Sequence, residues 1–353
     1  MATIKDVARL AGVSTTTVSR VLNKGAASEA TTKKVLRAVA ELDYQVNVSA
    51  RGLAQQSAST VGVIVADISN PPISQMFRGI VERLHAAGLT VMLGNSESNP
   101  RKELDLIQMF AVQRSRGVIY TGATISDALC DALNAFPGPV VVAAQQHARL
   151  RHPVVLFDNR RASHAVTSHI ASHGHHRIGF ISGPLSDPEA GAARRHGYLD
   201  GLVDAGLAPD ETFIEQAEFS VESGSAAMQR LLERATHRPT AVYAASDLIA
   251  IGAMKHLQNL GLAVPGDVSV FGFDNIPVGE HLVPSLSTVE LDFHELGEVC
   301  ADLLHRIIGR RRSQVERVVF GHRIIVRESF APRRGDRTIV SRRADASPAG
   351  GGE

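Results

Sequence analysis

Within residues 3–23 the chain writes two short amphipathic helices around a single glycine, an arrangement with few tertiary solutions. Thr3, followed three residues later by Asp6, makes a helix start: a cap, then a carboxylate that accepts from the free amide donors. Ile4, Val7 and Ala8 share one apolar face. Gly12 falls just after that face ends, where a left-handed backbone costs glycine nothing. Ser14 caps a second helix whose inward positions are Val18, Val21 and Leu22. Two helices joined by a tight glycine turn make a helix-turn-helix, whose second helix enters the DNA major groove. Its outward face carries Thr15, Thr16, Ser19 and Arg20; Ser14, Thr17 and Asn23 complete the candidate contact set. Threonine is a mediocre helix former, so a threonine triplet beside an arginine suits a base-reading surface better than a core. Threonine hydroxyls bond base edges or phosphates, and arginine is bidentate to guanine. Ser/Thr at 14–17 could act only as a cap; the paired helix, the glycine turn and the charge balance argue for more.

The net charge of +1 hides an asymmetry. Residues 1–57 hold eight Lys/Arg against four Asp/Glu, which leaves 29 against 32 for the remainder. A basic head on a mildly acidic body is the footprint of a phosphate-binding module fused to something else. With 353 residues, 44% apolar and 21% charged, two or three globular domains are expected. Cys130 and Cys300 lie far apart without metal-ligand spacing, as in a reduced, cytoplasmic protein. The N-terminus carries no signal pattern, and no run approaches the roughly 18 apolar residues of a membrane span. That disfavours a membrane role and a periplasmic or extracellular binding protein.

Beyond the reading helix, Ser28 is expected to cap a third helix with Val35, Leu36, Val39 and Leu42 as its stripe, and Tyr44 to pack beneath it. Residues 45–58 are small and polar, in the manner of a linker. From residue 60 strands and helices alternate. The strands are 61–66, 89–93, 117–120, 140–143, 154–157, 178–182, 240–244 and 268–272. The helices between them are 73–87, 100–114, 126–135, 162–173, 189–205, 222–234 and 247–260. Helix 293–308 and strands near 316–320 and 323–327 close the series. Such alternation means parallel sheets covered on both faces, and 270 residues of it fit two lobes with a cleft beyond the strand ends.

The run Ile4-Lys5-Asp6-Val7-Ala8, Ala11-Gly12-Val13-Ser14 and Thr17-Val18-Ser19-Arg20-Val21-Leu22-Asn23 resembles the headpiece of the LacI/GalR transcriptional repressors. The resemblance continues in order to about residue 331. It implies an all-α helix-turn-helix domain over 1–47 and a hinge over 48–58 that becomes helical on operator DNA. An α/β, two-lobed, periplasmic-binding-protein-like core with parallel sheets follows over 59–331. The N-lobe takes about 59–158 and 290–320, the C-lobe about 162–287 and 322–331, with crossing strands near 158–162 and 284–292. Residues 332–353 form a disordered tail without a leucine heptad, so a homodimer is expected rather than a tetramer. In the hinge, Leu53 holds the position of the leucine that wedges into the minor groove. Gly52 departs from the pattern and costs that short helix about 1 kcal/mol relative to alanine.

The same resemblance assigns an effector site to loops after strands. Ile68, Pro72 and Ile73 form one wall, and Arg194 and Asp274 form the polar grip. Of Ser246 and Asp247, one caps a helix and the other is free for ligand. Phe219 either stacks on the ligand or fills the lobe core. Two departures leave the effector open among sugars, sugar acids and other small metabolites: Ala144-Gln145 where relatives often carry Asp, Arg or Trp, and Leu291 where a glutamine is common. His173-Gly174-His175-His176 suits a helix terminus better than a metal site. With no nucleophile elbow or phosphate loop, neither an enzyme nor a cofactor is expected. The expected function is an effector-controlled repressor on a pseudo-palindromic operator. The alternative is a cytoplasmic sugar-binding protein or sugar-modifying enzyme with an incidental head.

Overall fold

The computed structural model describes residues 2–22, 25–44, 59–122, 124–308 and 316–333. Asn23, the hinge with Gly52 and Leu53, the Arg310–Arg312 turn and residues 334–353 lie outside the described residues. The chain forms two compact units, Met1–Ser59 and Thr60–Glu353.

The first unit is the expected three-helix head. Helix α1 (Ile4–Ala11) opens on the Thr3/Asp6 box: Asp6 N–H donates to Thr3 Oγ1 at 3.4 Å, and Thr3 N–H to Asp6 Oδ2 at 3.0 Å. The Thr3 hydroxyl (2.6 Å) and then the Thr3 N–H, both donating to Asp6 Oδ2, hold that carboxyl below its ordinary pKa. Gly12 takes φ 65° and ends the helix. Helix α2 (Thr15–Leu22) and α3 (Glu29–Glu41) close on Val7, Ala8, Ala11, Val18, Val21, Val35 and Ala38. Tyr44 packs against this core, as expected. Leu36 does not: it is 51% exposed, because Val35 and Ala38 already fill the inward face and the next position turns away.

The second unit is two-lobed. In the first lobe β1 (Thr60–Val65), α4 (Pro71–Ala86), β2 (Thr90–Asn95), α5 (Pro100–Val112), β3 (Val118–Thr121), α6 (Asp127–Ala135), β4 (Val140–Ala143) and β5 (Val154–Phe157) follow in turn. The second lobe holds α7 (Asn159–Ser172), β6 (Ile178–Ser182), α8 (Arg194–Asp204), β7 (Ile214–Gln216) and α9 (Val221–Arg234). It continues through β8 (Ala241–Ala244), α10 (Asp247–Asn259) and β9 (Ser269–Phe271). The chain then recrosses: β10 (Thr288–Glu290) pairs antiparallel with β12 (Arg323–Ile325), while α11 (Phe293–Ile307) and β11 (Arg317–Phe320) return to the first lobe. The sheets are parallel, ordered β11-β5-β4-β3-β1-β2 and β7-β6-β8-β9. Helices α4 and α11 cross with backbones in contact: a Cβ on Gly79 would sit 2.2 Å from the His294 carbonyl, so only glycine fits.

Three expectations are corrected. Residues 158–162 are not a crossing strand, because Asp158 caps α7 through Arg161 N–H (3.0 Å) and the helix starts at Asn159. The expected helix 189–205 begins as a π-helical turn, Pro188–Ala193, forced by Gly191 packing on the Pro184 carbonyl. Residues 332 and 333, placed in the tail by expectation, follow the core directly, and Arg333 N–H donates to the His173 carbonyl (3.0 Å).

Candidate functional site

On α2 the contact set divides by what each hydroxyl already does. Ser14 and Thr17 cap the helix: Thr17 N–H donates to Ser14 Oγ (3.1 Å), and the two hydroxyls lie 2.9 Å apart. Thr15, Thr16 and Arg20 are exposed, and Ser19 is half-buried. Arg20 is braced by its own turn, with Gly25 N–H donating to its carbonyl (2.9 Å) and Gly25 packed under its Cγ. The cap formed by Ser14 and Thr17 thus leaves Thr15 and Thr16 between them exposed.

The cleft residues assemble at the C-terminal ends of the strands. Arg194 is 4% exposed, and its Nε and Nη1 are engaged within the protein. Nε donates to Asn159 Oδ1 (2.9 Å), Nη1 donates to the Ala245 carbonyl (2.6 Å), and the plane lies 3.9 Å over the Phe273 ring. Nη1 also pairs with Asp274 Oδ1 at 3.2 Å, without the alignment of a hydrogen bond. Asp274 sits at φ 109°, a left-handed strain held by its N–H bond to the Val289 carbonyl (2.8 Å). Burial raises its pKa to about 6, against the lowering effect of Arg194.

Asp247 departs from expectation. Ser246 Oγ caps α10 through Ile249 N–H (3.2 Å), which left Asp247 as the free ligand group. Both of its oxygens are instead engaged internally, with Thr288 Oγ1 at 2.6 Å and Ile276 N–H at 2.8 Å. The side chain staples the Phe273–Ile276 turn to β10. Burial first, and the neighbouring Asp274 second, push its pKa up to about 8. Thr288 Oγ1 and the Ile276 N–H both donate to the carboxyl, one to each oxygen.

Ile68 and Ile73 are half-buried against the core, Pro72 is buried, and Ile68 N–H donates to Asn95 Oδ1 (3.0 Å). Phe219 lies over Gly183, where an added Cβ would fall 2.4 Å from its ring. Leu291 is buried in the apolar cluster that spans both lobes.

Sequence reasoning missed the residues that join the lobes. Gln145 Nε2 reaches Asp187 Oδ1 at 3.4 Å, Gln146 Nε2 donates to Glu189 Oε1 at 2.7 Å, and Thr124 Oγ1 donates to the Ser186 carbonyl at 2.8 Å. Asp187 also caps the π turn through Glu189 and Ala190 N–H, both at 2.9 Å. Burial raises the pKa of Glu189, and Asn159 bonds it from below, linking this bridge to Arg194. The unusual Ala144-Gln145 pair was the one available signal. The histidine run is structural, as expected: His175 bonds Thr240 Oγ1 (3.1 Å) and the Ala331 carbonyl (3.0 Å). Among the described residues no cluster of His, Cys, Asp or Glu could hold a metal, and no helix is long and apolar enough to cross a membrane.

Residues 3–47 match the model for bacterial regulatory proteins of the lacI family, and residues 167–330 match the periplasmic binding protein-like domain. The catabolite control protein A of Priestia megaterium is 34% identical over 93% of this chain and 98% of its own length. The chain belongs to the lacI family. This lacI-family protein is a DNA-binding transcriptional regulator, with the head and the two-lobed core of its relatives. Among solved structures, the lac repressor dimer bound to operator and an anti-inducer superposes with a TM-score of 0.83 at 26% identity, covering 93% of this chain and 98% of that one. The transcriptional regulator CelR in complex with cellobiose superposes at 0.72 with 31% identity, over 94% and 100%.

Proposed function

We propose that this regulator is a repressor that binds a pseudo-palindromic operator as a homodimer and is controlled by a small molecule held between its lobes. Thr15, Thr16 and Arg20 choose bases, while Ser14 and Thr17 hold α2 at the angle that presents them. Asn23 and the hinge leucine Leu53 extend the contact to the groove edge and the central base step. The effector is gripped by Arg194 and Asp274, with Ile68, Pro72, Ile73 and Phe219 as apolar walls. Ser246 and Asp247 act one step removed, by fixing the turn that carries Asp274. The protein acts by binding alone, without catalysis or cofactor, in the cytoplasm.

One observation carries the reading: a strained, buried Asp274 paired with a buried Arg194 at the strand ends, where two-lobed α/β cores hold ligands. The operator-bound and cellobiose-bound relatives support it. Effector control requires the DNA-competent and DNA-incompetent states to differ in effector affinity. The test is fluorescence anisotropy with an operator selected from random duplexes by the full chain, repeated with a metabolite panel. A selected palindrome whose affinity changes at least tenfold with one panel member is expected. Sequence-independent binding, or binding no metabolite alters, refutes the reading.

A further inference from the structure

The second lobe has another opening, at the end of its sheet where β6, β8 and β9 begin, one strand length from Arg194 and Asp274. There a cavity of about 400 Å³, room for a small molecule, is lined by Arg177, Arg238 and Arg333 around the buried His175. Arg177 and Arg238 are exposed at its mouth, and Arg333 is half-buried. One carboxylate shares the cavity: Asp267, 3.5 Å from Arg238 Nη2 and already accepting from Ala263 N–H (2.8 Å). Arg177 engages only Nε, on the Arg238 carbonyl (3.0 Å), and makes no ion pair among the described residues. The Arg333 side chain has neither a hydrogen bond nor an ion pair among them. Its backbone, in contrast, is firmly placed. Arg333 N–H donates to the His173 carbonyl (3.0 Å), and its own carbonyl lies against Gly174, at φ 87°, where a Cβ would fall 2.8 Å away. Two residues earlier, Ala331 is held by His175 Nε2 at its carbonyl (3.0 Å) and by Ser269 Oγ at its N–H (3.2 Å). The His173-Gly174-His175 run thus anchors the segment that carries the third arginine.

We propose that this cavity is a second ligand site, distinct from the cleft, which takes a phosphoryl group, as the free ion or on a small phosphate ester, between Arg177, Arg238 and Arg333. Like charges gathered in one concavity repel, and a bound anion relieves that repulsion. Three guanidinium groups against one carboxylate leave two positive charges over, which matches the charge of a phosphate monoester near neutral pH. Arginine forks bond phosphate oxygens in pairs, and forks from three chain segments suit three terminal oxygens better than the two of a carboxylate. Burial holds His175 below its ordinary pKa, and both its nitrogens are bonded, so at neutral pH the charge of the cavity comes from the arginines.

The test is phosphorus NMR and titration calorimetry on the full-length protein without DNA. The probes are inorganic phosphate and glycerol 3-phosphate, with glycerol and malonate as controls. At least one phosphoryl probe should bind at millimolar concentration or below, and both controls more weakly. A tighter grip on glycerol 3-phosphate identifies an organic phosphate as the ligand; an equal or tighter grip on inorganic phosphate identifies the free ion. Arg177→Gln and Arg333→Gln should each weaken that binding about tenfold, the loss of one charge-assisted contact, without lowering the melting temperature. Asp267→Asn should tighten it, a gain that misfolding does not produce. Three results overturn the proposal: neither phosphoryl probe binds at millimolar concentration, neither arginine substitution weakens the binding, or malonate is held as tightly as phosphate. None of them touches the effector reading of the cleft.

Discussion

The outward face of α2 and the network around Arg194 each set an arginine among polar groups, in opposite surroundings. On α2, Thr15, Thr16 and Arg20 are exposed; around Arg194 the groups are buried and bonded to one another. Water solvates the first set, so removing a member there costs little stability and much recognition. In the second set each group is the neighbour's only solvent, so removal leaves a buried charge uncompensated.

The sharpest way to break this contrast is Arg194→Ala. It strands Asp274 and Asn159 together, and should cost about 3–5 kcal/mol in urea unfolding of the core, along with effector binding. A loss below about 1 kcal/mol would place Arg194 with the exposed reader residues. Next comes Asp247. Alanine leaves Thr288 and the Ile276 amide without their acceptor, at about 1–3 kcal/mol for each unmet group. Asparagine keeps an acceptor for the Ile276 amide and turns an N–H toward Thr288 Oγ1, so it should stay within about 1 kcal/mol of the parent at neutral pH.

The same residue sets a pH dependence. Its folded pKa of about 8 stands above the ordinary 3.8, and that of Asp274 is raised to about 6. The folded chain therefore holds more protons than the unfolded one across that window. This contribution is complete below the ordinary carboxylate value and is lost as pH rises toward 8. Urea midpoints of the core should fall from pH 5 to pH 8, and the slope should flatten in Asp247→Asn. A midpoint that rises over this range would contradict the neutral staple.

On the reader side, Arg20→Ala should weaken specific operator binding by about 1–3 kcal/mol and relax choice at one base pair. It should leave the melting temperature of the head unchanged, since the side chain is exposed. The smallest effect belongs to the cap. Thr3→Ala should destabilise the head by about 1 kcal/mol by releasing the Asp6 amide, with the Asp6 pKa moving back up in an NMR titration.

Legibility followed the range of the interactions. The head was readable almost residue by residue, because caps, the glycine turn and a 3.6-residue period are set by neighbours within four positions. Its one error, Leu36, came from treating every apolar residue of α3 as inward. In the core, strand and helix order was clear, whereas the start of α7, the π turn before Arg194 and the three-residue β7 were not. The π turn and β7 rest on contacts outside their own residues, Gly191 against Pro184 and Glu215 held by Arg230 and Arg234, whereas α7 starts on a local cap, Asp158 accepting from Arg161 N–H.

By itself, the order of residues determined a helix-turn-helix head, the alternation that builds two parallel sheets, and Arg194 and Asp274 as a pair worth watching. Only the tertiary structure decided that both Asp247 oxygens are tied to Thr288 and Ile276, and that Gln145 and Gln146 meet Asp187 and Glu189 some forty residues away. The physical reason is that a side chain's role in a buried polar network is fixed by which donors and acceptors remain unmet. That tally exists only once distant strands have brought their ends together.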